Sequence, residues 1–593
     1  MSKKKHTSTL GKPSFLELYD FIPLLIALAV VPLLIRITPV SYNTESIFWH
    51  AHLDTFYDFF SYFKSQVIVF LGALSLIPLV RLFLTNRDGF LKDKIVWITG
   101  AAMVLVILSS ILAKSPYVAY KGYVERYEGV FVILSYWLFF LLAYKLTWTD
   151  RKIKWLFGAF WVSNIGLSLL GIGQYFGYDL LLTDWFTSLV TAFSMQGMSF
   201  DTEFIVNYKV IGQTLYHYNY VAFFITLSLP VFLTKFLYEK NWLYKGLYFI
   251  TSGLILFNLL GSTARGGLLG VLVALVFWVV FNWRILFKNL KLTLVIAALL
   301  VVAFVGFETV SDGFVTRRIL STFETPRTEY ALKSLYTENG GIHLETKDGT
   351  LSIGLNSEDL SQFDLNMTFN NKPIDFKEIT PQNQGVFDLP ILKDLLIYPA
   401  VDENGTYYLA LEIKKELSLF VYQEGEFLYR YSNGERIDMP KAPAIGFDGL
   451  EKLGSGRGYI WSRTLPLVLE KPILGYGVDN YAIAFPQHDF IGKLNTYNTF
   501  NMFVDKAHNI YLQYAVSSGI PYLILYLALI AIVLIKGLIY IFKGKDQNHR
   551  DLVIALLTAI IGFHIAGYFN DSSVHVAPVF WVMLGTILGV MRG

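Results

Sequence analysis

The run VDKAHNIYLQYAVSSGIPYLILYLALI, residues 504–530, sets the pair His508–Asn509 just ahead of a long apolar stretch. A neutral imidazole accepts a hydroxyl proton readily, and polar side chains at the lip of a membrane span are costly without a task or a partner. His508 therefore reads either as a structural hydrogen-bonding residue or as a chemical one. Other polar residues stand at similar places. KSPYVAYKGYVERYEG carries Lys121, Arg126 and Glu128 directly into a span, and VIGQTLYHYNYVAFF does the same with Gln213, His217 and Asn219. GSTARGGLLG puts Arg265 in a very short turn between two apolar runs, among small residues that let backbones approach. Arg457 and Arg463 bracket the start of GYIWSRTLPLVLEK, and Asn570, Asp571 and His575 occupy the last turn of this kind.

Several arginines beside a neutral histidine suit a substrate with clustered phosphate oxygens and a hydroxyl to be deprotonated, because guanidinium groups bind such oxygens in bidentate fashion. Each residue has a plainer alternative. Lys121 alone would snorkel to lipid phosphates, and His217 and His575 suit structural hydrogen bonds. Arg265 has less need of such an anchor, since its turn is too short to require one. Neither a nucleotide P-loop nor a GxGxxG cradle occurs, so the energy for a reaction would arrive within the substrate. With no HExxH, no Asp-x-Asp in a short external loop and no cysteine, no metal or other cofactor is indicated.

The elements that must position these residues are membrane spans. Of 593 residues, 54% are hydrophobic and only 16% charged, well below the ~25% of soluble domains. A net charge of +3 is too small to imply a nucleic-acid partner. Apolar runs of about 17–25 residues cross a hydrocarbon core. They recur near 19–37, 66–85, 95–113, 130–146, 155–176, 220–238, 245–262, 267–283, 292–308, 519–542, 552–570 and 576–592. The first follows a basic stretch without a small-residue cleavage signal and reads as a retained span. Basic connections such as TDRKIK, NWRILFKNLK and KGKDQNHR alternate with poorer ones. That bias predicts a cytoplasmic N-terminus, and an even count of spans returns the C-terminus to the same side.

The sequence thus predicts a polytopic α-helical membrane protein of about twelve spans with a β-rich external insert. Residues 1–308 form an N-terminal bundle of about nine spans, and 519–593 about three more. Residues 309–518 form an external segment. Within it, short alternating runs such as GIHLETK, TYYLALEI and LSLFVYQ, divided by ENGG, DENG and SNGE, predict a β domain at 340–440. An amphipathic helix at 458–471 follows, closed by Pro472 and the glycines of KPILGYGVDNY, with Trp461 lying along the outer membrane surface.

STARGG, GRGYIWSRTLPLVLEKPILGYGVDNY and AHNIYLQYAVSSGIPYLILYL, in this order, resemble the O-antigen ligase/polymerase superfamily of bacterial membrane glycosyltransferases. GYVERYEG and GQTLYHYNYVAFF resemble that family's earlier loops, so the likeness covers most of the chain outside the β insert. The resemblance implies a GT-C-type helical bundle in the bacterial cytoplasmic membrane and a metal-independent, inverting transfer in surface-polysaccharide synthesis. The donor would be a glycan on an undecaprenyl-pyrophosphate carrier, and the acceptor a hydroxyl of a glycan, lipid or protein. Arg265, Arg457 and His508 match the family's catalytic positions, although TARGG is one residue looser than a strict Ser-Arg-Gly. Arg463, Lys121, Arg126, Lys209, His217 and Asn509 would extend the substrate-binding surface. A flippase or transporter of lipid-linked oligosaccharide is the alternative, but its usual two-fold repeat of spans is missing and the polar residues crowd the outer lip.

Overall fold

A computed structural model describes residues 15–42, 55–191, 211–291, 330–374, 395–431, 434–543 and 549–592, with isolated positions between 294 and 386. Lys209 and most of the expected span at 292–308 lie outside the described residues.

The helices are α1 (Ile22–Ala29), α2 (Tyr62–Thr85), α3 (Lys94–Ile111), α4 (Val130–Lys145), α5 (Asp150–Tyr175) and α6 (Tyr218–Tyr238). After them come α7 (Trp242–Ser262), α8 (Arg265–Lys288), α9 (Leu453–Glu470), α10 (Ile510–Phe542), α11 (Arg550–Ala566) and α12 (Ala577–Val590). Among the described residues seven are long and apolar enough to cross a membrane: α2, α3, α5, α6, α7, α8 and α10. Shorter apolar helices run over Ile22–Leu33, Val130–Lys145 and Ala577–Val590. The chain is a polytopic helical membrane protein with a sheet-containing region.

Burial differs sharply between helices. In α6, 78% of the apolar window is covered by protein against 33% in α2, so α6 is a central post and α2 is free to face lipid. Every residue of α12 is buried. Its Gly585 and Gly589, four apart, let it sit on α4: a Cβ at Gly585 would stand 2.3 Å from the Phe140 carbonyl oxygen, and one at Gly589 2.7 Å from that of Ala143. Small residues at this spacing allow two helix backbones to approach closely where no hydrophobic effect drives them together.

Helix α10 starts nine residues earlier than the expected span and is broken at Gly519, where φ is 86° and ψ 168°. The break leaves the Val516 and Ser517 carbonyls without helical partners, and the backbone amides of Tyr476 and Gly477 donate to them at 2.8 and 3.0 Å. KPILGYG is thus a loop wedged beside an interrupted helix, which satisfies backbone groups that the break exposes. The expected helix at 458–471 runs over α9, but it does not lie on a lipid surface. Trp461 is buried, and its indole N–H donates to the Ala507 carbonyl at 2.9 Å. An indole with a backbone partner and packed ring faces belongs to the protein interior.

Strands β1 (Thr38–Ser41) and β2 (Thr55–Asp58) form a small antiparallel pair. The larger strands are β3 (Leu332–Glu338), β4 (Gly341–Thr346), β5 (Thr350–Leu355), β6 (Leu365–Phe369) and β7 (Lys372–Pro373), then β8 (Glu378–Ile379) and β9 (Gln384–Val386). The rest are β10 (Leu395–Val401), β11 (Tyr407–Ile413), β12 (Glu416–Gln423), β13 (Glu426–Arg430) and β14 (Arg436–Ile437). They make two antiparallel meanders, one of β3–β7 and one of β8–β14. Their shared core of Leu344, Ile353, Leu409, Leu411 and Phe420 also takes in Phe490, Ile491 and Leu494 from the short helix Phe490–Tyr497. The sheets are therefore packed directly onto the segment that carries α9.

Candidate functional site at the helix ends

In KGYVERYEG the chain doubles back on itself: φ is 87° at Gly122, 68° at Glu125 and 50° at Tyr127. Only a glycine fits the first position, where a Cβ would lie 2.4 Å from the Tyr127 Cα. The turn drives Arg126 inward. Its Nε donates to Asp479 at 2.7 Å, its Nη2 to Glu128 at 3.2 Å and its Nη1 to Asp571. All four side chains are at most 6% exposed. Asp479 also accepts the backbone amides of Tyr123 and Glu128 at 2.6 and 3.2 Å, and Glu128 accepts Tyr136 and Ser572 hydroxyls at 2.8 and 3.0 Å. One guanidinium thus ties the loop before α4 to the loop after α9 and to the turn between α11 and α12. Burial works against the Arg126 cation, but Asp479, Asp571 and Glu128 outweigh it and raise its pKa further. Burial pushes Glu128 up to about 7 in spite of Arg126.

His508 sits where the chain enters α10. Asn509 caps that helix, accepting the amides of Tyr511 and Leu512 at 2.9 and 3.0 Å, while His508 takes a left-handed φ of 48°. The cap and the turn aim the imidazole away from the helix, into a cleft of about 410 Å³. Its Nδ1 is 4.0 Å from Asp571 Oδ1, and its side chain keeps 26% exposure. Burial, then Lys506 and Arg457, lower its pKa to about 3, against the opposing pull of Asp571 and Asp505. His508 is neutral at ordinary pH, and the ion pair with Asp571 is not formed. For Asp571 burial raises the pKa, but Lys506 and Arg126 outweigh it and keep the carboxylate ionised.

The same cleft is lined by His217, Asn219, Tyr220 and Asn570. His217 caps α6 by accepting the Asn219 amide at 3.2 Å, and burial with Lys506 holds its pKa near 4. Lys506 is the single lysine or arginine among the described residues of the lining; it lies 3.3 Å from Asp505 and donates to Tyr220 at 3.3 Å. Burial opposes its charge, but Asp505, Tyr220 and Asp571 raise its pKa well above the ordinary value.

Arginines flank the cleft without lining it. A left-handed turn at Gly454, Ser455 and Gly456 (φ 61°, 64° and 90°) precedes Arg457. Arg457 then clamps the Phe569 carbonyl with Nε and Nη2 at 3.1 and 2.8 Å and the Gly454 carbonyl with Nη1 at 2.6 Å. Arg265 opens α8, and its neighbour Gly266 abuts the same strip: a Cβ there would be 2.8 Å from Phe569 Cβ and 3.5 Å from Asn570 Nδ2. Burial lowers the Arg457 pKa, and the nearby Arg265 cation adds to that. Two half-buried like charges that feel each other make a place that favours an anion.

A family profile described as O-antigen ligase matches residues 417–527. That stretch runs from β12 through α9 to the first half of α10, and so spans the left-handed turn, Arg457 and His508–Asn509. Over those residues the match supports the resemblance to the O-antigen ligase/polymerase superfamily. No curated protein matches the chain. Within the matched segment Arg463 pairs with Asp489 at 2.8 Å and lies over the Tyr459 ring at 4.7 Å, bracing α9 against the short helix Phe490–Tyr497. Arg265, Lys121, Arg126, Lys209 and His217 lie outside the matched segment. Lys121 is spread over Tyr42 and Tyr117, 5.4 and 5.7 Å from their centroids, and donates to the Ser41 carbonyl, so it ties the loop to β1. Sequence reasoning named Asp571 only as a turn residue and passed over Lys506, Asp505 and Asp479. A lysine two positions ahead of His508 was the available sign for Lys506; nothing local marks Asp479 as the partner of Arg126.

Proposed function

We propose that the chain is a glycosyltransferase of the external face of a bacterial cytoplasmic membrane. It moves a glycan from an undecaprenyl-pyrophosphate carrier to an acceptor hydroxyl, as an O-antigen-type polymerase or ligase. The observation that carries this reading is the convergence of Arg457 and His508, both in the matched segment, with the start of α8 at Arg265 on the strip Phe569–Asp571. About twelve spans, both termini in the cytoplasm and residues 309–518 outside complete the proposed arrangement.

The acceptor oxygen attacks the anomeric carbon as the bond to the pyrophosphate oxygen breaks, inverting that carbon without a metal. Arg265 and Arg457 take up the negative charge growing on the leaving pyrophosphate, among the largest effects available to an active site. The hydroxyl proton passes to His508 Nε2, while the Asp571 charge, 4.0 Å away on the Nδ1 side, steadies the imidazolium. A histidine with a pKa near 3 is a weak base when the site is empty. Bound pyrophosphate cancels part of the Arg457 field that depresses it, so donor binding itself strengthens the base.

The test supplies purified protein in nanodiscs with an undecaprenyl-pyrophosphate glycan and candidate acceptors, following loss of the lipid-linked pool into product. Arg265→Ala and His508→Ala should each lose about 10²-fold or more in rate while staying folded. Full transfer by either variant, or movement of intact donor across the membrane with no glycosidic bond formed, would overturn the proposal.

A further inference from the structure

One wall of the cleft beside His508 is acidic. Among the described residues its lining carries three carboxylates, from Glu125, Asp505 and Asp571, and one lysine, Lys506, while Arg265 and Arg457 stand outside it. Asp571 is already engaged by Arg126 and faces His508. Among the described residues neither Glu125 nor Asp505 pairs with a guanidinium. Asp505 pairs with Lys506 at 3.3 Å, whereas Glu125 accepts the Tyr216 hydroxyl at 3.0 Å and, among the described residues, stands outside any ion pair. On the same wall stand the rings of Phe56, Tyr123, Tyr216 and Phe503, with Tyr123 and Phe503 stacked at 6.0 Å and 17°. Flat rings meet the C–H faces of a sugar, and carboxylates accept its hydroxyl protons. The volume is that of a small-molecule site, for which ~300–1,000 Å³ is usual.

Resting on the transferase reading above, we propose that this wall is a charge-selective acceptor subsite, taking a neutral or amino-bearing sugar and excluding phosphorylated or uronic acceptors. Anions are sorted by field: donor phosphates go to the Arg265–Arg457 side, and Glu125 and Asp505 repel them from the acceptor side. A sugar hydroxyl held between the rings then faces His508 on the same lining. The acceptor is accordingly a glycan end, joined sugar to sugar.

Saturation-transfer NMR on the full-length protein in nanodiscs tests this with methyl glucoside, glucosamine and methyl glucuronide as acceptor probes and inorganic pyrophosphate as the donor-side probe. Methyl glucoside and glucosamine should bind at least about tenfold more tightly than methyl glucuronide, a gap typical of one unfavourable close charge. Glu125→Gln with Asp505→Asn should close that gap by admitting the glucuronide, and Phe503→Ala should weaken all three sugars. Melting curves screen each variant for folding. Equal binding of glucuronide and glucoside to the unaltered protein, no sugar binding while pyrophosphate still binds, or indifference to Phe503→Ala would each overturn the acceptor subsite. Sugar binding that persists while pyrophosphate binding is absent, or is unaffected by Arg457→Ala, would instead overturn the donor reading.

Discussion

Replacing Arg126 by Met removes the guanidinium that Asp479, Glu128 and Asp571 share, with the carboxylates only 2–3% exposed. Breaking a buried ion pair by deleting one partner costs about 3–5 kcal/mol, because the remaining charge stays desolvated. Three acceptors lose a partner here, yet each keeps others. Asp479 retains two backbone amides, Glu128 the Tyr136 and Ser572 hydroxyls, and Asp571 the Tyr220 hydroxyl at 3.4 Å. Glu128, at about 7 already, also rises further without Arg126 and takes up a proton. The loss therefore falls near the lower end, about 3 kcal/mol, out of the ~5–15 kcal/mol that holds a typical protein folded. The measurement is thermal unfolding in detergent, where Arg126→Met should melt well below the parent and Arg126→Lys should recover only part. The pH sign follows from Glu128. Its folded pKa lies above the unfolded 4.5, so the folded state binds the extra proton and stability declines as pH rises through that window. The higher Glu128 pKa in the variant extends the window upward, so its deficit should be larger at about pH 8 than at about pH 6. If Arg126→Met melts with the parent and only raises KM for the donor, Arg126 is a substrate-binding residue and the clamp is wrong.

Asp571→Asn keeps the shape beside His508 but removes the charge that steadies its imidazolium; transfer should drop about 10²-fold or more. The double variant with His508→Ala should then be no slower than His508→Ala alone, and a further drop would show that the two do not act as a unit. The base form of His508 survives down to about pH 3, so kcat/KM should show no acid limb of its own near the ordinary value of 6.5. Any limb near neutrality belongs to Glu128 and should vanish in Glu128→Gln; one that persists there would contradict the assignment. Gly519→Ala puts a Cβ 2.1 Å from the Ile473 carbonyl oxygen at φ 86°, a conformation costing other residues about 1–3 kcal/mol before the clash is counted. It should lower the melting temperature and abolish transfer, and a variant with unchanged melting would show that the loop is free to move aside.

The helices were legible because a span must satisfy its own backbone, leaving a long apolar run as its trace; α5, α6, α7 and α8 stand close to where composition put them. Turn-bounded alternation likewise foretold strands, because one face of each must be buried. The break in α10 was written as Gly519 and Pro521, but a glycine and a proline in an apolar run do not say what fills the gap. That depended on amides of Tyr476 and Gly477 from another element. Trp461 reads the same in one dimension whether it faces lipid or Ala507, and packing chose Ala507.

The candidate site divides on the same line. His508, Asn509, Arg265 and Arg457 stand out as candidates because each sits beside a local signal: a cap, a short turn, a glycine-rich reversal. The sequence by itself determined which residue types stand at the helix ends. Which charge meets which was decided by the tertiary structure. Arg126 looked like a free cation until the fold brought Asp479 and Asp571 to it from 353 and 445 residues away. Ionic contacts depend on distance in space and on the water removed between the partners, and neither is recorded in the order of residues along a chain.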